Sequence, residues 1–265
     1  MREEALVLVA HGSADPRAAA AIGELIPIVA RRAAERGLSV PDLRVAYLGH
    51  AAPSVPQVMR AFGPDAQVTA LPLLLTAAYH SKTDIPRLLA RVGGGMRVTY
   101  GEPLGPHPLL LRALERRLPA AVFDNPAEVG VVLAAAGSSD PAANATIARL
   151  ADQWQSRTGW HAVCAAYASP AAASGQGSAA GPDPATAITQ LREAGARRVV
   201  VASYLLAPGV FADRIRAASL AAGATATSPA LLSWPPAAAG VASPEVADVV
   251  LDRYEEAGTR ARAAA

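Results

Sequence analysis

Short apolar runs alternate along this chain with longer stretches in which apolar residues return every three or four positions. In the first half, the runs Ala5–Ala10, Asp42–Leu48, Gln67–Leu75 and Arg97–Tyr100 are predicted as strands. Helical spacing predicts helices over Pro16–Arg36, Ser54–Ala61 and Asp84–Val92, with another near His107–Arg117. The second half gives strands over Glu128–Ala135, His161–Tyr167 and Arg197–Leu206. Its helices fall over Pro141–Arg157 and Pro184–Glu193, near Phe211–Ala222, and over Pro244–Ala263. Strands alternating with helices imply right-handed βαβ units and a parallel sheet.

The pattern occurs twice. "LVLVAHGSADP" (Leu6 to Pro16) returns as "VVLAAAGSSDP" (Val131 to Pro141), an offset of 125 residues. "LPLLLTAAYHSKTDIP" (Leu71 to Pro86) returns more loosely as "ASYLLAPGVFADRI" (Ala202 to Ile215). Asp15-Pro16 and Asp140-Pro141 each supply an N-cap and a first-turn proline. The expected architecture is α/β, with two similar doubly wound lobes built on parallel sheets, related by internal duplication, and a cleft between them. The boundary is expected at "FDNPAEVG", giving lobes 1–124 and 125–265. The small-residue stretch Ser169 to Pro184 reads as a loop.

Composition narrows the classes. Hydrophobic residues are 52% and charged residues 17%, which suits a globular core rather than disorder. The net charge of +2, with no basic run, argues against a nucleic-acid partner. A single cysteine, Cys164, forms no disulfide within the chain and is read as a small core residue in a protein of a reducing compartment. "MREEALVLVAHGS" reads as neither a signal peptide nor a membrane span, so a soluble cytoplasmic protein is expected.

Chemistry-bearing groups gather at strand exits. His11 follows the first strand, His50 the second and His80 the third. In an open parallel sheet, ligands bind beyond the carboxyl ends of the strands, and strand one is expected to lie between two and three. His11 and His80 are therefore expected to face one site, with His50 on the other flank. The repeat provides a control, because His11 is matched by Ala136 and His80 by Phe211 while the glycine, serine and Asp-Pro cap are kept. The imidazoles are thus not needed to build the fold. His107 and His161 have no such company and are read as structural or surface residues. Imidazole binds divalent transition metals and accepts protons near neutral pH. No HExxH or paired-cysteine motif is present, which favours a metal that is handed on over one held permanently. "HGS" has no GxSxG around it, and "VAHGSADP" lacks GxGxxG and the Walker pattern, so a serine hydrolase or nucleotide site has little support.

"AHGSADP", "AYLGHAAPSVPQVM" and "LPLLLTAAYHSKTDIP", in that order, resemble the sirohydrochlorin chelatases, the class II chelatase family related to ferrochelatase. "YLLAPGVFADRI" looks like the degenerate partner motif of the two-domain bacterial members. The resemblance implies insertion of a divalent metal into sirohydrochlorin, with Fe²⁺ for sirohaem favoured over Co²⁺ for cobalamin. It places His11 and His80 in the metal-handling positions, with His50 a candidate third. Gly12, Ser13, Tyr79, Ser81 and Lys82, the only lysine in the chain, are the candidate residues for binding the tetrapyrrole. The expected partners are sirohydrochlorin and a divalent ion, with no permanent cofactor, nucleic acid or membrane, in a monomer or weak dimer. The sequence departs from the family at Gly49, where many members carry an acid. That departure keeps a competing reading open, a metal- or tetrapyrrole-binding protein without turnover. A phosphate-ligand α/β enzyme using the "HGS" turn is a third reading.

Overall fold

The computed structural model describes residues 4–40, 42–77, 80–168, 181–233 and 243–263, and for His80 its backbone alone. These fall into two compact units, residues 4–109 with 243–263, and residues 110–233.

The first unit is a four-stranded parallel sheet. Its strands are β1 (Glu4–Ala10), β2 (Asp42–Tyr47), β3 (Gln67–Pro72) and β4 (Arg97–Tyr100), in the order β2-β1-β3-β4. The crossovers carry α1 (Pro16–Glu35), α2 (Val55–Met59) and α3 (Ile85–Val92). A π-helical turn, His80–Asp84, leads directly into α3. The central strand β1 is buried from Ala5 to Ala10, which explains its unbroken apolar run. On α1, Ala18, Ala21, Ile22, Leu25, Ile28, Val29 and Ala33 make the buried stripe at helical spacing.

Helix α4 (Pro108–Glu115) leads into the second unit. There β5 (Val129–Ala135), β6 (Ala162–Tyr167), β7 (Arg198–Ser203) and β8 (Ala226–Thr227) form a parallel sheet in the order β6-β5-β7-β8. Its helices are α5 (Pro141–Arg157), α6 (Pro184–Glu193) and α7 (Val210–Ala221). The duplication extends to register: Ala10 pairs with Tyr47 as Ala135 pairs with Tyr167. The Tyr47 N–H donates to Pro53 O at 2.9 Å, and the Tyr167 N–H to Pro182 O at 3.0 Å. Cys164 is half-buried on β6, packed against the second unit's core, and burial pushes its thiol up to about 11, so it stays protonated. His161 sits with Nε2 2.9 Å from Ala194 O and Nδ1 3.3 Å from Ala127 O, a structural placement.

Two stretches fall differently from lobes cut at 124/125: residues 110–124 belong to the second unit, and the last helix belongs to the first. The last helix, α8 (Pro244–Ala263), packs on α1 and β3 of the first unit. Arg32 grips Asp248 with both arms, Nε to Oδ1 at 2.9 Å and Nη2 to Oδ2 at 2.8 Å. Arg36 Nη2 reaches Asp252 at 2.8 Å and Glu255 at 2.6 Å. Arg253 donates to the carbonyls of Pro103 at 2.8 Å, Pro106 at 3.2 Å and Leu104 at 3.4 Å. His107 Nδ1 accepts the Leu109 N–H at 3.3 Å, and its Nε2 lies 3.5 Å from Asp252 Oδ2. Among the described residues, no helix is long and apolar enough to cross a membrane.

Arg253→Ala leaves those carbonyls without their donor and should cost about 2 kcal/mol in denaturant titration, with amide exchange rising first in α8. Burial, reinforced by Arg253, holds His107 below its ordinary value of 6.5, so the fold favours the neutral ring. Its contribution to stability is present above that value and is lost as pH falls below it. His107→Gln should flatten the acid limb of the stability–pH curve.

Candidate functional site

The exits of β1, β2 and β3 are tied together beyond the strands proper. The Leu48 N–H donates to Ala10 O at 3.0 Å and the Gly49 N–H to His11 O at 3.2 Å. On the other side, the Leu73 N–H donates to Val9 O at 2.8 Å. His11 is thereby fixed at the centre of the carboxyl edge of the sheet, with its side chain exposed.

The turn that follows depends on glycine. Gly12 has φ +86°, and a Cβ there would lie 1.7 Å from Gly49 O. Only a bare Cα lets the two exits approach so closely. The Ser13 hydroxyl accepts the Asp15 N–H at 3.1 Å, and Asp15 in turn caps α1 through the Arg17 N–H at 3.0 Å. The second unit repeats this, with Asp140 N–H to Ser138 Oγ at 3.0 Å and Ala142 N–H to Asp140 Oδ1 at 2.9 Å. Ser13 is thus engaged in a turn that the second unit, with Ala136 in place of His11, also builds.

His11, Leu48, Gly49, His50, Asp84 and Leu88 line one open cavity of about 340 Å³ at this edge. His50 has φ +61°, the one described non-glycine residue in the left-handed region. Backbone strain of this kind costs of order 1–3 kcal/mol and gathers at functional sites. The third exit enters the π-helical turn whose first residue is His80. The cavity therefore joins His11 with His50, while Tyr79 and the His80 side chain lie outside the described residues. Ser81 is buried, and its carbonyl accepts the Tyr100 hydroxyl at 2.9 Å. Burial pushes the Tyr100 hydroxyl well above its ordinary value, keeping it a donor. Lys82 is exposed on the same turn. Among the described residues, no three His, Cys, Asp or Glu side chains are grouped to hold a metal ion.

Sequence reasoning did not place Asp84 in the site. It opens an Asp-Ile-Pro segment that reads as a helix cap, and only the structure puts it on the cavity wall beside the histidines.

The family model CbiX matches this chain twice, over residues 5–121 and 130–257. The chain belongs to the CbiX family. The resemblance carried by the three strand-exit motifs to the sirohydrochlorin chelatases therefore holds. The sirohydrochlorin ferrochelatase of Priestia megaterium is 26% identical over 218 residues, covering 80% of this chain and 77% of that one. Among solved structures, SirB from Bacillus subtilis with Fe³⁺ superposes with a TM-score of 0.74 at 22% identity, covering 98% of each chain. SirB from Bacillus subtilis subspecies spizizenii in complex with cobalt gives a TM-score of 0.69 at 22% identity, covering 96% of this chain and 95% of that one. The two CbiX segments fall on the two sheets, so the duplication read from the sequence is a duplication of the family unit. In this CbiX-family chain the second copy keeps the frame, with Gly137 at φ +85°, Ala168 N–H to Ala135 O at 2.9 Å and Tyr204 N–H to Ala134 O at 2.7 Å. It lacks the imidazoles, carrying Ala136 and Phe211 instead.

Gly12→Ala should destabilise the fold by ~3 kcal/mol or more, because the steric conflict is with backbone and the φ is unfavourable. A melt showing less than about 1 kcal/mol of loss would contradict the described turn. Tyr100→Phe should cost about 1 kcal/mol and speed amide exchange in the turn 80–84 while leaving α1 protected.

Proposed function

We propose that this chain inserts a divalent metal ion, Fe²⁺ in preference to Co²⁺, into sirohydrochlorin as a chelatase of sirohaem biosynthesis. The carrying observation is the cavity that joins His11 and His50 at the sheet's carboxyl edge, in the copy that kept its histidines. The preference for iron follows the function named for the Priestia megaterium relative. In this reading the first lobe is catalytic and the second is a degenerate repeat that supports it. The protein acts in the cytoplasm as a monomer or weak dimer and holds no permanent cofactor.

The reaction exchanges two pyrrole protons for one cation, so the site must accept protons and surrender a weakly held metal. His11 and His80 are assigned to that pair of tasks. A neutral imidazole nitrogen ligates a divalent transition metal without adding charge, and the same nitrogen takes a proton near neutral pH. An open site with few ligands keeps the ion labile enough to leave. The His11 carbonyl accepts the Gly49 N–H, and that backbone bond holds the residue at the edge. His50 is the third candidate ligand, on the flank opposite β3. Lys82, with the backbone N–H of Gly12, is assigned to the substrate's carboxylates, and Tyr79 and Ser81 complete the proposed contact set.

The test mixes anaerobic protein, Fe²⁺ or Co²⁺ and sirohydrochlorin, and follows the absorption change of the macrocycle. His11→Ala and His80→Ala should each lower kcat by about 10²-fold or more, with the fold retained by circular dichroism. A wild-type rate equal to the spontaneous one would replace this reading with that of a metal- or tetrapyrrole-binding protein. The glycine at position 49 favours that second reading.

A further inference from the structure

Four aspartates precede helices that carry a proline in their first turn, and three of them do the same job. Asp15, Asp140 and Asp183 have extended backbone, with ψ of 116°, 110° and 165°, and each carboxylate accepts an N–H from the first turn. Asp84 differs. Its φ of −70° and ψ of −49° are already helical, because the π-helical turn runs straight into α3, and its side chain makes no cap bond. A side chain on a helical backbone is carried around the outside of the turn rather than back over its N–H groups. Asp84 lines the cavity with His11 and His50.

We propose that Asp84 is the anionic arm of this cavity, drawing the divalent metal substrate in and holding it for transfer. The proposal rests on the chelatase reading for the fate of the ion, but not for its binding. A carboxylate at a cavity mouth raises the local concentration of a dication and steers its approach, which two neutral imidazoles cannot do. A divalent ion with six waters occupies roughly 180 Å³ at about 30 Å³ per water, so the cavity of about 340 Å³ admits it hydrated. Carboxylate oxygen and imidazole nitrogen together suit first-row divalent metals. Gly49, which lines the same cavity, also leaves room: a Cβ built there meets nothing within 4 Å. A carboxylate placed there would face the same space.

The experiment titrates Co²⁺ into the full-length protein, anaerobically and without tetrapyrrole, by calorimetry and visible absorption. Asp84→Asn keeps the shape and removes the charge. It should weaken Co²⁺ binding about tenfold or more and raise KM for the metal, with KM for sirohydrochlorin unchanged. Asp84→Glu should retain most of the affinity, and Gly49→Glu in the Asp84→Asn background should restore it. Asp183→Asn, which removes the charge of a capping aspartate away from the cavity, should leave metal affinity unchanged. Equal Co²⁺ affinity in wild type and Asp84→Asn overturns the proposal. So does affinity lost in Asp84→Asn but recovered by neither glutamate, which would mark a folding defect. If the wild type inserts no metal, the chelatase reading falls while the titration still decides the role of Asp84.

Discussion

The carbonyl of Gly49 occupies the space that a side chain at position 12 would need. Everything at the carboxyl edge of the first sheet depends on that contact. It lets the β1 and β2 exits continue their ladder for two more bonds, through Ala10 O and His11 O, before the chains part. These backbone bonds set the position of His11 at the edge. The left-handed φ of His50, two residues after the second exit turns, belongs to the same constraint, since Ala51 N–H closes back on Gly49 O at 2.8 Å.

The second sheet shows what the frame costs without the chemistry. Its glycine, serine and capping aspartate reproduce the turn almost bond for bond, and its strands keep the same order. The polar satisfaction of a sheet edge is a folding requirement, whereas an imidazole at that edge is not. Asn144 adds a clamp found only there: its amide donates to Ser138 O at 2.8 Å and its Oδ1 accepts the Ser138 N–H at 2.9 Å. A turn tightened in this way suits a lobe whose edge carries no reacting group.

The alternation of runs and amphipathic stretches made the sheets and most helices legible, since burial dictates period directly. Helices α5, α6 and α8 and strand β4 fall where the pattern puts them. β3 stops at Pro72 rather than Leu75, because proline offers no N–H to the ladder and the chain then turns away. β8, two residues long, is too short to show a period. The π-helical turn has no sequence signature, and its effect on Asp84 was hidden for that reason: Asp-x-Pro reads as a cap whatever the backbone does next. Of the candidate site, His11 and His50 were legible from their place after strands, and Asp84 was not. The docking of α8 was invisible as well. An amphipathic stripe says that a helix has a partner, not which one, and Asp248 finds Arg32 from 216 residues away.

That last helix imposes an order of assembly on the ribosome. The first sheet emerges early, but the flank formed by α1 and β3 waits for a segment encoded after the whole second sheet. The sheet of residues 129–227 is made before the helix that covers its predecessor. Vectorial synthesis ordinarily lets domains mature in the order they are encoded. Here the lobe bearing the histidines is the last to close, so a half-made chain carries its imidazoles on an unfinished scaffold.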